Sequence, residues 1–199
     1  MKALTVRRQL MPFSLFRGGS MTSKKVKKIT FAGMFLALAL VLPFITGQIP
    51  QIGNALSPMH IPVLLCGFIC GWPYGLVLGF IAPPLRYVLF GMPPIFPTGV
   101  TMAFELAVYG LAAGLFYKML PKKVHNIYVT LILSMLIGRL AGGIVKFIIV
   151  TFFAPDIPFG RAIFWTDYFV KAVPGIILHI VLIPVTVMAL KKAKLMLNE

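Results

Sequence analysis

Acidic side chains are nearly missing from this chain: four Asp and Glu stand against nineteen Lys and Arg in 199 residues. Charged residues of both signs make up only 12% of positions, against about 25% in a soluble domain. That composition excludes an ordinary water-facing surface. Cysteine is scarce as well. Cys66 and Cys70 are the only two, and their i, i+4 spacing in one apolar segment is poor geometry for a disulfide and too few ligands for zinc. They read as small packing residues. His60, His125 and His179 make no metal-ligand pair at helical spacing, and His60, between Pro58 and Pro62, is expected to bond backbone groups left free by those prolines. The chain has no Gly-x-x-x-x-Gly-Lys-[Ser/Thr] loop for nucleotide phosphates. Ser57 and Ser134 have no evident base. The reading is of a non-enzyme, with no catalytic residue, metal or cofactor. No clear 3+3 repeat marks a self-sufficient secondary carrier, which is the alternative class.

What the chain has in abundance is apolar: 59% of residues are hydrophobic, and the mean hydropathy is +0.96. This is the composition of an all-α integral membrane protein. Six apolar segments can be placed, at about 29–46, 58–71, 76–90, 98–119, 127–154 and 168–190. The second is short, since fourteen helical residues reach only about 21 Å against a hydrocarbon core of about 30 Å. It is expected to begin earlier or to lie partly within the bundle. Pro83-Pro84 should kink the third. Gly71-Trp72-Pro73-Tyr74-Gly75 reads as a tight turn, and 47–57, 91–97 and 155–167 as long connections.

The formal charge of +15 does not point to nucleic acid, because the lysines flank the apolar segments and no aromatic-basic motif accompanies them. Clusters at 24–28, 118–123 and 191–194 all fall on one side of a six-span chain, with both termini. The positive-inside rule makes that side cytoplasmic. Residues 1–20 read as an extension ahead of a single membrane domain at 21–199. Met21 is a second candidate start, since Arg17-Gly18-Gly19-Ser20 can be encoded by a purine-rich run before an ATG.

Cations inside apolar segments are costly and usually face a bundle interior or polar cavity. Arg139 and Lys146, seven residues apart, project from one helix face about 10 Å apart along its axis. Gly142 and Gly143 between them allow another helix or a ligand to approach. Arg86, Glu105, Lys146, Asp167 and Lys171 all fall in the outer halves of their segments, and Arg139 lies deeper. With Asn54 in the first outer connection, these are the candidate substrate-binding residues. Asp167 and Lys171 are spaced to pair on one face. The surplus of cations favours an anionic ligand, although Phe90, Phe96, Phe159 and Trp165 could stack a ring instead. Gly33-x-x-x-Ala37 in the first segment is a small-residue face for another helix, within the bundle or on another subunit.

Taken together, the lysine-rich start, the small-residue first helix, Pro58-Met59-His60-Ile61-Pro62, the Gly-Trp-Pro-Tyr-Gly turn, the proline-rich stretch after the third segment and six spans in about 180 residues resemble the substrate-binding S components of energy-coupling factor (ECF) vitamin transporters. The resemblance covers about Met21 to the C-terminus. It implies a bacterial cell-membrane protein that captures a vitamin or vitamin-like small molecule in its outer half. It also implies partners: a transmembrane coupling subunit, met through Gly33 and Ala37, and two ATPase subunits. The family motif more typically has alanine at both small positions. Pantothenate, folate or biotin would satisfy the cations, flavin or pyridoxine the aromatics.

Overall fold

The computed structural model describes residues 19–46, 56–155, 157 and 160–198, and these form helices with no strand among them. In chain order they are α1 (Gly19–Thr46), α2 (His60–Cys70), α3 (Trp72–Phe90), α4 (Val100–Met119), α5 (Val124–Phe153), the short α6 (Arg161–Trp165) and α7 (Val173–Lys192). A kinked turn at Ile95–Gly99, with Phe96 extended (φ −122°, ψ 135°), leads into α4, and a π-helical turn at Thr166–Val170 joins α6 to the last helix. Five stretches are long and apolar enough to cross a membrane: Ser23–Phe44, Trp72–Phe90, Ile95–Met119, Val124–Phe153 and Ala162–Lys192.

The sixth apolar segment, α2, has eleven residues, and every one is buried. It is too short to face lipid along a whole crossing and lies inside the bundle. Phe68, Leu64, Ile69 and Val63 pack there with no exposed surface, against Phe35 and Ala39 of α1 and Ile183 and Val187 of α7. The surface has the opposite composition. Ile132, Leu136, Leu140, Ile144 and Phe147 form an exposed apolar row on α5, as expected where the solvent is hydrocarbon rather than water.

Glycine sets how closely the central helices approach. A Cβ at Gly75 would stand 2.6 Å from the Gly110 carbonyl oxygen, and one at Gly79 2.3 Å from the Leu106 carbonyl oxygen. The α3 and α4 backbones are therefore in direct contact over two turns, the small-residue packing favoured between membrane helices. Gly67 of α2 meets the same Gly110 carbonyl.

Two connections are tighter than expected. Only Gly71 separates α2 from α3, with φ +101°, and Trp72–Gly75 already form the first turn of α3. Pro73 suits that position because the first helical N–H groups have no intrahelical partner. The last span starts earlier than 168, at α6, because Phe164 packs its ring against Gly143 and so anchors that turn. The helix α3 runs through Pro83 and Pro84 and ends at Gly91, whose left-handed φ of +72° suits a C-terminal cap. Residues 91–94 then form the non-helical connection expected from the prolines, with the kinked turn following at Ile95–Gly99.

The lysine clusters gather at one end. Lys28 lies over the Tyr74 ring at 5.9 Å, and Lys191 donates to the Lys122 carbonyl at 2.9 Å. The C-terminal tail folds back there: the Leu197 amide donates to Ile69 and the Asn198 side chain to Gly114.

Candidate functional site

At the end opposite the lysines, α4, α5 and the Thr166–Val170 turn enclose a small cleft of about 60 Å³. Thr98, Thr101, Met102 and Glu105 line one wall, Lys146 and Tyr168 the other. These wall residues, from the Ile95–Gly99 turn and the start of α4, recur at i, i+3, i+4 and i+7, a helical spacing. On α5 the same logic sorts the residues: Gly138, Arg139, Gly142 and Gly143 are buried on the inner face, and Lys146 is half-buried. Large apolar residues can face lipid, so the inner face is where small and polar residues collect.

Each glycine there makes room for a particular side chain. A Cβ at Gly138 would meet the Tyr109 ring at 2.8 Å, one at Gly142 the Glu105 carboxyl at 3.0 Å, and one at Gly143 the Phe164 ring at 2.1 Å. The close approach expected from Gly142 and Gly143 is thus made by the chain's own side chains, and it seats Glu105 at the cleft.

The charges pair as follows. Asp167 takes Lys146 on one oxygen at 3.2 Å and Lys171 on the other at 2.8 Å. The i, i+4 pair expected from spacing is present, and Lys146 reaches it from α5. Lys171 itself is exposed, whereas Lys146 and Asp167 are half-buried. Arg139 is buried and its guanidinium donates to the Tyr168 carbonyl, tying α5 to the turn that carries Asp167. Glu105 is buried, with His60 Nε2 at 3.7 Å from its carboxyl.

One expected site residue is placed differently. Arg86 is not among the cleft's lining residues; it lies over the Phe44 ring of α1 at 5.1 Å, beside the Phe44–Phe90 ring contact. A guanidinium at the end of a span finds an aromatic face there. Asn54 lies outside the described residues.

Sequence reasoning missed Thr98, Thr101 and Tyr168, although the threonines stand at helical spacing from Glu105. It also missed what surrounds Glu105 from behind. His60 faces the carboxyl rather than only the prolines beside it, with Tyr109 edge-on at 5.1 Å and His179 stacked at 6.0 Å. No group of three His, Cys, Asp or Glu among the described residues is arranged to hold a metal ion. Cys66 and Cys70 are free and buried.

A second concave surface lies between α1 and α3, an apolar groove of about 420 Å³ that includes Ile29, Gly33, Leu36, Tyr74, Val77 and Ile81. Gly33 and Ala37 are both on the exposed side of α1, while Phe35 and Ala39 hold the helix to the core. A Cβ at Gly33 would meet nothing within 4 Å. Among the described residues, nothing packs against the Gly33 position.

The family model for the ECF transporter, substrate-specific component, matches residues 27–191. The chain belongs to that family. The substrate-specific component is a multi-pass cell-membrane subunit that captures a substrate and works with a coupling module of a membrane subunit and ATPases. Members of that family are transporter subunits. No curated protein and no solved structure matches the chain.

Proposed function

We propose that this substrate-specific component captures a vitamin or vitamin-like small molecule from outside a bacterial cell, and that the cleft bounded by Glu105, Lys146 and Tyr168 is where it binds. The observation that carries the reading is the convergence of those three residues at the end opposite the lysines. With that end outward, the polypeptide crosses six times, counting α2 as an internal crossing, and both termini are cytoplasmic. Reporter fusions at residue 199 and within 91–97 test this orientation; matching signals from both would overturn it.

Lys146, Arg139 and Lys171 outnumber Glu105 and Asp167, which favours an anionic substrate, pantothenate-like in its charge. Gly33 and Ala37, on the open side of α1, support docking of the transmembrane coupling subunit along the α1–α3 groove, with two ATPase subunits behind it. Mass spectrometry of small molecules retained by the gently purified protein, against membranes lacking it, tests the capture reading. A compound bearing a carboxylate or phosphate is expected. Enrichment of only uncharged or cationic ring compounds would overturn the anionic preference. Uptake undiminished in cells lacking a coupling module would replace the coupled subunit with a stand-alone facilitator.

A further inference from the structure

The two carboxyl groups near the cleft are in different situations. Both oxygens of Asp167 have a lysine partner, at 3.2 and 2.8 Å. Glu105 is more deeply buried, and the His60 imidazole stands at 3.7 Å, beyond hydrogen-bond length. A carboxylate has about four lone-pair sites. The buried Tyr109 hydroxyl is within reach of the carboxyl from behind, and the other neighbours are turned elsewhere. The Thr101 hydroxyl donates to the Pro97 carbonyl at 2.9 Å. Gly142 closes the α5 side with no side-chain donor. With the carboxyl forming part of the cleft wall, lone pairs on that side are left for a ligand to donate to. Across the same cleft stands the Lys146 ammonium.

We infer that Glu105 accepts a hydrogen bond from the substrate, so that the cleft selects ambident molecules: an N–H, O–H or ammonium donor for Glu105, close to a carbonyl or anionic group for Lys146. The small volume of the cleft requires the two groups to be within a few bonds of each other. A molecule offering only acceptors meets the Glu105 carboxyl unfavourably and is rejected, which is discrimination by repulsion as well as attraction. This inference rests on the capture reading above and specifies its ligand chemistry.

The test applies a small-molecule extract of the expression host to detergent-purified wild-type protein and to Glu105→Leu, which has no acceptor, followed by mass spectrometry of what each retains. Wild type should enrich a compound with a donor adjacent to an acceptor, and Glu105→Leu should hold at least about tenfold less of it at equal protein recovery. Equal retention by Glu105→Leu overturns the inference, as does a retained compound without any N–H or O–H donor. If wild type retains nothing above control membranes, the capture reading itself fails, and this inference with it. Should Glu105→Leu not fold, the wild-type protein decides. The retained compound methylated at its donor should compete at least about tenfold more weakly than the parent, and equal competition overturns the inference.

Discussion

Gly110 lets α2, α3 and α4 touch, and its replacement by alanine tests whether that contact organises the bundle. A Cβ on residue 110 would stand 2.2 Å from the Gly75 carbonyl oxygen and 2.3 Å from the carbonyl carbon. Both obstacles are backbone, so no rotamer can relieve them. Restoring even 3.0 Å requires a retreat of 0.8 Å (3.0 − 2.2), starting from the measured contact. A radial gap of about 0.5–1 Å forfeits about a quarter to a half of the dispersion between facing atoms. Overpacking of this kind costs about 1–3 kcal/mol, or about 2–12 °C in melting temperature for a domain of this size. The chain carries its own reporter. Cys66 and Cys70 are the only thiols and are fully buried on α2, so a thiol-reactive fluorophore reads unfolding directly. Gly33→Ala is the control, since its Cβ meets nothing within 4 Å, and alanine favours helix by about 0.5–1 kcal/mol. It should melt at or above the wild-type temperature. A Gly110→Ala protein that melts with wild type would refute the close-contact argument.

Lys146→Met should weaken substrate retention by about 10–100-fold, because a charge-assisted bond in a half-buried cleft is lost. Folding should survive, since Asp167 keeps Lys171; unchanged retention would remove Lys146 from the site. Lys171→Met, on the exposed side of the pair, should change retention less than about threefold, as screened surface pairs contribute little. Gly33→Leu should leave melting and substrate retention intact while reducing co-purification with the coupling subunit; loss of folding instead would place Gly33 in the core. Asn198→Ala should lower the melting temperature modestly, by about 1 kcal/mol of lost hydrogen bonding between the tail and α4, read by the same fluorophore. No change would make the tail contact incidental.

The membrane character and the gathering of lysines at one end were legible because lipid demands apolar surface and the lysines flank segments in plain view. The Asp167–Lys171 pair was legible because it is local, one helical turn apart. Position along a helix axis does not reveal direction around the bundle, and Arg86 shows the difference. Its depth matched that of Lys146, yet its side chain turns to Phe44. Contacts between distant segments left no local trace either. His60 and Glu105 are brought together by the α2–α4 packing, and neither residue's neighbours in sequence announce the other. Helix α6 went unseen because it is short and follows directly on the proline-containing stretch 155–160, which reads as a loop. What makes it helical is Phe164 finding the space left by Gly143.

The groove on α1 and α3 and the cleft on α4, α5 and the Thr166–Val170 turn have no lining residue in common. Substitutions that retune one set of walls therefore leave the other intact. Substrate choice and docking can drift independently in such a scaffold. On the roles proposed for the two surfaces, the partner surface can be kept while the cleft is rebuilt around a different cargo.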